Sequence, residues 1–278
     1  LAAQWQVGHG LQLAIHEQQR QAPAHERRQA RFVEQALEIA VAAIGMSMII
    51  ITGHIDVSVG ALIGVGQGSE SPSKVVVMQW KGGEGAPLAV YGDYLLFSSN
   101  SENRIMLNIG GIANFTWLPQ TLDAEAVFSS DIGPGNTMMD AFIQQHYPGK
   151  YFDENSLLAK AGKVSEPLLE ALKQDPFFAL GFPKTTGPEV FNLAYLAKAQ
   201  QVSGTEQLSH ADIMATLNRF SADMIIAAIK QTTAALDKFV IYASGGGIHN
   251  PLLMKQLQQA LPEVCIKTTA DLAINPDA

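Results

Sequence analysis

Residues 104–118, RIMLNIGGIANFTWL, decide the fold of this chain. Arg104–Ile109 and Ile112–Leu118 each read as an alternating β-type run, and Gly110 and Gly111 stand between them. Two such runs joined by a short glycine turn predict an antiparallel β-hairpin. We expect this hairpin to begin a sheet, because the segments that follow it alternate between strand and helix patterns.

The pattern beyond the hairpin predicts further strands at residues 126–131, 239–243 and 264–268. Helices are predicted at residues 137–146, 154–161, 166–174, 189–200, 210–236 and 250–261. In the longest of them, the positions with core spacing are Ile213, Leu217, Phe220, Met224, Ala227 and Ala228. An antiparallel hairpin followed by strand and helix units predicts an α/β domain with a mixed sheet and flanking helices.

The composition is that of a globular protein without affinity for polyanions. Of the 278 residues, 47% are hydrophobic and 16% are charged, and the formal net charge is -8. This charge gives no general attraction to nucleic acid or to an anionic membrane, so an anionic ligand would have to be held by backbone amides or a metal ion. Cys265 is the single cysteine of the sequence, which excludes an intramolecular disulfide and a multi-cysteine metal site.

Residues 1–81 are interpreted as an atypical N-terminal segment, because their pattern differs from that of residues 82–278. Their apolar run at residues 39–53 is shorter than the roughly 20 residues that a transmembrane helix needs. Residues 43–64, AIGMSMIIITGHIDVSVGALIG, resemble a segment of the permease subunits of sugar-importing ABC transporters. We interpret the run as a buried helix or a strand pair and expect no membrane partner, with a membrane segment as the alternative.

Three glycine loops that follow predicted strands carry the functional signal. The first is the hairpin turn, where Asn108, Gly110, Gly111 and Asn114 are candidates for a phosphate clasp, since glycine lets a backbone approach phosphate oxygens closely. A Gly-Gly turn alone is usually structural. Ligands of α/β folds collect at the carboxyl ends of strands, so the convergence of several such loops is what points to a ligand.

The second loop, DIGPGN, covers residues 131–136. Asp131 is expected at a strand end beside a helix N-terminus, where anions bind and where a carboxylate could hold water on Mg²⁺. The other candidates in this loop are Gly133, Gly135 and Asn136, and Asn136 is also the predicted N-cap of the helix.

The third loop, SGGGIHN, covers residues 244–250. Three consecutive glycines, Gly245, Gly246 and Gly247, cost conformational entropy that plain chain reversal does not require. A flat adenine ring lying against the backbone would explain them, and close packing of a helix on a strand is the alternative.

Seven motifs together resemble the anhydro-N-acetylmuramic acid kinases, which belong to the sugar kinase, Hsp70 and actin superfamily. They are GGEGAPL (82–88), NIGGIAN (108–114), DIGPGN (131–136), AGKV (161–164), DPFF (175–178), PKTTGPEVFN (183–192) and GGGIHNPLLM (245–254). The resemblance implies an actin-like (ribonuclease H-like) ATPase domain over residues 82–278, truncated at its end, with an atypical or incomplete first domain.

The resemblance also implies an activity and its cofactors. It implies ATP-dependent phosphorylation of 1,6-anhydro-N-acetylmuramate, in which water opens the anhydro ring and the product is N-acetylmuramate 6-phosphate. It further implies Mg²⁺ as a cofactor, an amino sugar substrate, a cytoplasmic location and a homodimer. The nucleotide would face Asn250 besides the glycines above, and the sugar cleft would lie near Gly83, Glu84, Gly85 and Lys184.

The chain departs from the family pattern in its first part. Nothing in residues 1–81 matches the first phosphate loop of the family, and residues 75–81 lack the carboxylate of its DFR-type motif. We therefore expect weak or absent kinase activity. The alternatives are a nucleotide-binding module without turnover, a membrane-associated fragment, and a wrongly assigned stretch over the first 80 or so residues. Every functional reading requires that the glycines near 110 and near 246 line one shared crevice.

Overall fold

The hairpin forms the centre of a five-stranded sheet. The computed structural model of the protein describes residues 87–234 and 238–277. Its strands are β1 (Arg104–Ile109), β2 (Ile112–Leu118), β3 (Phe128–Pro134), β4 (Val240–Ser244) and β5 (Cys265–Thr268). Its α-helices are α1 (Pro87–Phe97), α2 (Thr137–His146), α3 (Leu157–Ala161), α4 (Glu166–Leu172), α5 (Leu193–Ser203), α6 (His210–Thr233) and α7 (Pro251–Ala260). Short 3-10 helices lie at Ala124–Ala126, Glu154–Ser156, Pro176–Ala179, Gly246–His249 and Thr269–Leu272.

The strands lie in the order β3-β2-β1-β4-β5. The pairs β1–β2 and β2–β3 are antiparallel, whereas β1–β4 and β4–β5 are parallel. This mixed sheet with flanking helices is the α/β architecture that the sequence predicted. Asn108 of β1 lies opposite Ser244 of β4, and both strands therefore end at the same edge of the sheet.

Helices cover both faces of the sheet. On one face, α6 and α7 pack against Ile105, Leu107 and Ile109 of β1, which are at most 1% exposed. On the opposite face, Val90 and Phe97 of α1 join a second apolar cluster. Burial of apolar area on both faces stabilises the sheet and leaves its carboxyl edge for loops.

The central helix α6 is buried on more than one side, including every residue of 213–218. Of its predicted core positions, those that are buried are Ile213, Leu217, Phe220 and Ala228. Met224 is partly buried, and Ala227 is exposed, so the prediction was wrong for Ala227. A single apolar stripe does not describe this helix, because it packs against the sheet and against other helices.

Several predicted bounds need correction. The strand predicted at residues 126–131 is β3, which begins later and continues to Pro134 because its pairing with β2 extends beyond a bulge. The helix predicted at residues 154–161 is broken, since Asn155 and Ser156 have φ values of 54° and 55°. The helix predicted from residue 189 begins at Leu193, after the N-cap Asn192. Helix α1 was not predicted.

Residues 1–86 lie outside the described part of the chain. The predicted N-terminal segment, its apolar run and the permease-like stretch at residues 43–64 therefore stay predictions. Among the residues that the structure describes, no helix is both long and apolar enough to cross a membrane.

Candidate functional site

The turn between β1 and β2 is tied to the loop that leads into α2. The carbonyl oxygen of Gly111 accepts hydrogen bonds from the amides of Gly135 (2.8 Å) and Thr137 (3.0 Å). The carbonyl oxygen of Gly110 accepts one from the amide of Asn136 (2.9 Å). Within the described residues, the amides of Gly110 and Gly111 donate to no group. The turn is thus fixed through its carbonyl oxygens, while its amide groups are available to a ligand.

This arrangement changes the expected role of the α2 N-terminus. The amides of Asn136 and Thr137, at the helix end where the sequence predicted an anion, donate to the turn. Asn136 is the N-cap as predicted, yet its side chain makes no capping bond and instead donates to the carbonyl oxygen of Ile109 (3.2 Å). Both amides are thus engaged within the protein, and the anion site predicted at this helix end stays a prediction.

The loop after β4 packs closely on the end of β1. Gly245 has a φ of 81°, and a Cβ atom there would lie 2.9 Å from the carbonyl carbon of Ile109 and overlap the side chain of Asn108. A Cβ on Gly247 would lie 2.6 Å from the Cβ of Ile109. These two glycines are required by packing, which is the alternative that the sequence left open for the glycine triplet.

Gly133 and Gly135 are also required by packing. A Cβ on Gly135 would overlap the carbonyl oxygen of Gly110, and Ser221 of α6 donates a hydrogen bond to the Gly135 carbonyl oxygen (2.8 Å). Gly133 has a φ of 143°, and a Cβ there would lie 2.9 Å from Cε1 of Phe178. Contacts with the hairpin turn, with α6 and with Phe178 therefore fix the backbone of this loop.

The three remaining glycines of these loops have room for a side chain. The nearest heavy atom to a Cβ built on Gly110, Gly111 or Gly246 would be 3.5, 3.7 or 3.8 Å away, which is ordinary contact. Gly111 and Gly246 are exposed, and none of the three has a φ in the left-handed region. The described residues give no reason for glycine at these positions, so a ligand that approaches the backbone closely would supply one.

The three glycine loops meet at one edge of the sheet. Gly245 contacts the end of β1, and the Asn136 side chain lies between the hairpin and Gly246, 3.8 Å from where the Gly246 Cβ would be. The turns near 110 and near 246 are therefore neighbours, as a shared nucleotide site requires. This edge is formed by the carboxyl ends of β1 and β4, where α/β folds bind ligands.

Asn250 has a structural task in addition to any contact with a nucleoside. Its Oδ1 accepts hydrogen bonds from the Leu253 amide (2.9 Å), from Ser156 Oγ (2.7 Å) and from Asn218 Nδ2 (3.0 Å). It therefore caps α7 and accepts a hydrogen bond from each of two fully buried side chains. Its proposed contact with the nucleoside stays a prediction.

Asp131 lies within β3 rather than at its end, because the strand continues to Pro134. Its Oδ2 accepts a hydrogen bond from the Thr186 amide (2.9 Å), and its amide donates to the Lys184 carbonyl oxygen (2.9 Å). Burial raises the pKa of its carboxyl group, and the Thr186 bond lowers it in part. Asp131 thus anchors the loop at residues 183–187 to the sheet. Its predicted role toward Mg²⁺ stays a prediction.

The amino group of Lys184 is enclosed by aromatic rings. Its Nζ donates to the Phe177 carbonyl oxygen (3.0 Å) and lies 4.4 Å from the centroid of the Phe177 ring and 5.2 Å from that of Phe182. Burial lowers the pKa of this amino group. Its predicted place near the sugar stays a prediction. The other residues predicted near the sugar, Gly83, Glu84 and Gly85, lie outside the described residues.

Asn108 and Asn114 lie opposite each other across the β1–β2 pair. Their side chains line a cavity together with Asp93 of α1. Thr116 Oγ1 donates a hydrogen bond to Asp93 Oδ2 (2.6 Å), and burial raises the pKa of this carboxyl group. Sequence reasoning missed Asp93 because helix α1 was not predicted. A single acidic residue within an apolar helix was the available signal.

Asp140 is a second carboxylate that sequence reasoning missed. It lies on α2, one helical turn beyond Asn136 and Thr137, and is partly buried. Burial raises the pKa of its carboxyl group to about 6. No pattern in the sequence distinguishes it from an ordinary exposed residue in the first turn of a helix.

The chain is similar to known proteins over most of its length. A family model described as anhydro-N-acetylmuramic acid kinase matches residues 78–278. The anhydro-N-acetylmuramic acid kinase of Pseudoalteromonas atlantica is 60% identical over 198 residues, which are 71% of this chain and 49% of that protein. The protein of the same name from Pasteurella multocida is 41% identical over 196 residues, which are 70% of this chain and 50% of that protein.

The chain thus spans about half the length of the curated relatives it matches. Among solved structures, the activator of the 2-hydroxyisocaproyl-CoA dehydratase from Clostridium difficile with bound ADPNP is 13% identical, with a TM-score of 0.30. That match covers 64% of this chain and 59% of the other, and it is too weak to bear on function. The family model, by contrast, matches well over half of the chain, and the chain belongs to the anhydro-N-acetylmuramic acid kinase family.

Proposed function

We propose that residues 82–278 form the nucleotide-binding part of a kinase that phosphorylates 1,6-anhydro-N-acetylmuramate. In this reaction water adds to C1 of the sugar, the bond from C1 to O6 breaks, and O6 attacks the γ-phosphorus of ATP. The products are N-acetylmuramate 6-phosphate and ADP. We place the reaction in the cytoplasm and the protein in a homodimer.

The observation that carries the proposal is the set of three glycines with room for a side chain. Gly110, Gly111 and Gly246 belong to two loops at the same edge of the sheet, and the fold itself does not require glycine at any of them. A triphosphate bound across these loops would use the free amides of Gly110 and Gly111. The adenosine would lie against Gly246, which is exposed. Backbone amides suit this task because the chain has a net charge of -8.

Mg²⁺, when bound, would bridge the phosphates and neutralise charge as the terminal phosphate is transferred. Asp131 offers one carboxylate oxygen besides the one that accepts from Thr186. A single carboxylate is compatible with magnesium, which keeps several waters and is also held by the phosphates. Asp131 therefore fits the ion chemically, although its bond to Thr186 gives it a separate structural task.

Nucleotide binding can be tested with Gly246→Ala. A Cβ there meets no atom closer than 3.8 Å, so the variant should melt within about 1 °C of the wild type. If adenosine lies against this backbone, calorimetric titration should show ADP affinity lowered by at least roughly tenfold. Gly181→Ala is the matched control, because nothing lies within 4 Å of its Cβ, and it should bind ADP normally. Unchanged ADP affinity in Gly246→Ala would refute this placement of the nucleoside.

Nucleotide binding without turnover is the second candidate function. It is favoured by the lack of any carboxylate in residues 75–81, since a base must take the proton of the attacking water. We expect the 278-residue chain to bind ADP and to turn over anhydro-muramate weakly or not at all. A coupled assay of ADP release with this sugar separates the two functions. Ordinary turnover would show that a carboxylate elsewhere serves as the base.

A further inference from the structure

The side-chain oxygen of Asn250 is held by more donors than the cap of α7 requires. It accepts the capping bond from the Leu253 amide (2.9 Å), and it also accepts from Ser156 Oγ (2.7 Å) and Asn218 Nδ2 (3.0 Å). One backbone amide is sufficient for an N-cap. The two further donors are fully buried, and they come from the turn before α3 and from α6. Three separate elements therefore converge on this one oxygen.

The two further donors are kept at a cost to stability. Ser156 and the preceding Asn155 have φ values of 55° and 54°, in the left-handed region that residues other than glycine rarely adopt. The buried Oδ1 of Asn218 has no hydrogen-bond partner within the described residues, which is unfavourable for an acceptor. The cap of α7 needs neither feature, so stability does not account for them. Backbone strain of this kind is concentrated at functional sites.

The amide nitrogen of the Asn250 side chain is free. A side-chain amide is planar, so fixing its oxygen also fixes the direction of its nitrogen, which carries two N–H donors. Nδ2 of Asn250 donates to no described residue and is accessible to solvent. Asn192, the N-cap of α5, differs because its Nδ2 donates to the carbonyl oxygens of Pro188 (3.3 Å) and Glu189 (2.8 Å). The Asn250 nitrogen is thus held in one direction and left for a ligand.

Asn250 directly follows the glycine loop against which the adenosine is proposed to lie. It comes next after the 3-10 helix Gly246–His249, and its backbone amide donates to the Gly247 carbonyl oxygen (3.0 Å). A nucleoside offers acceptors to such a donor, namely the ribose oxygens and the ring nitrogens of the base. We propose that Ser156 and Asn218 are positioning residues, which hold Asn250 so that its Nδ2 donates to an acceptor atom of the nucleoside. This inference rests on the proposed nucleotide site.

Ser156→Gly tests the positioning role, because it removes the hydroxyl donor while glycine adopts a φ of 55° without strain. In calorimetric titrations of the full chain, this variant should bind ADP at least roughly fivefold more weakly than the wild type. Its affinity for inorganic pyrophosphate, which has the two phosphates of ADP without the nucleoside, should change less than about twofold. A general loss of structure would weaken the binding of both ligands, so the difference between them reports the nucleoside contact.

Asn155→Gly is the matched control. It makes a change to glycine at the neighbouring left-handed residue, whose side chain is exposed, and it keeps the Ser156 hydroxyl. This variant should bind ADP and pyrophosphate as the wild type does. The proposal is overturned if Ser156→Gly binds ADP normally, if it loses affinity for both ligands equally, or if Asn155→Gly weakens ADP binding to the same extent. If the wild type does not bind ADP, the proposed function itself fails.

A second measurement needs no variant and remains informative if Ser156→Gly does not fold. In nuclear magnetic resonance spectra of the wild type, ADP should shift the side-chain NH₂ signals of Asn250, and pyrophosphate should leave them unchanged. The NH₂ signals of Asn192 should move with neither ligand, since this group donates to its own loop. Unchanged Asn250 signals at saturating ADP would overturn the proposal.

Discussion

Gly245→Ala should destabilise the protein far more than the same change at another left-handed glycine. Gly245 has φ 81° and ψ 166°, a region essentially restricted to glycine, where alanine costs about 1–3 kcal/mol. Its Cβ would also overlap the Asn108 side chain and lie 2.9 Å from the carbonyl oxygen of Ile109, and such overpacking costs about 1–3 kcal/mol. The free energy of unfolding should therefore fall by about 2–6 kcal/mol.

Gly204→Ala supplies the matched control. Gly204 has φ 65° and ψ 35° at the end of α5, with nothing within 4 Å of its Cβ, so alanine there should cost only about 1 kcal/mol for the backbone. Thermal unfolding followed by circular dichroism measures the stability of both variants. The expected melting temperatures fall by about 3 °C for Gly204→Ala and by about 10 °C for Gly245→Ala. Equal losses in the two variants would show that the close approach between the β4 loop and β1 does not exist.

Three further changes test other parts of the site. Burial raises the pKa of the Asp140 carboxyl group to about 6, so this group favours folding only while it is protonated. The wild type should therefore lose about 1 kcal/mol of unfolding free energy, measured in urea, as the pH rises from about 4 to about 7. Asp140→Asn should abolish this loss. Ser221→Ala removes the bond to the Gly135 carbonyl oxygen and should cost about 1–2 kcal/mol in thermal unfolding, together with weaker ADP binding in calorimetry. Asn250→Ala should lower the free energy of unfolding by about 3 kcal/mol, because it leaves buried donors unbonded. Loss of the exposed N-cap bond in Asn192→Ala should lower it by only about 1 kcal/mol. Similar losses in the two variants would contradict the buried network.

The sequence alone was sufficient to predict the hairpin and the position of each glycine loop after a strand. Both hairpin strands have the predicted bounds, because alternation and a glycine turn are local signals. Helix α2 likewise begins and ends at the predicted residues. The convergence of the loops follows from strand order, which the parallel pairing of β1 with β4 determines.

Tertiary contacts decided what the sequence left open. Which glycines serve packing and which leave room for a ligand depends on the neighbour of each Cβ, and no local pattern records that Gly247 meets Ile109 while Gly246 does not. Asp93 was missed for a similar reason, since only the docking of α1 brings it to Thr116. The continuation of β3 past Asp131 depends on pairing with β2 beyond a bulge, which alternation alone does not predict.

The attachment of the hairpin turn to α2 has a consequence for how fast a ligand can be bound. Because Gly110 and Gly111 are anchored by three main-chain bonds, the loop already has one conformation before any phosphate arrives. Association then needs no reordering of this segment, so little entropy is lost there and the rate is limited by encounter. If phosphates bind at this turn as proposed, the turn would act as a rigid receptor, and its affinity would be set by how slowly the phosphates dissociate.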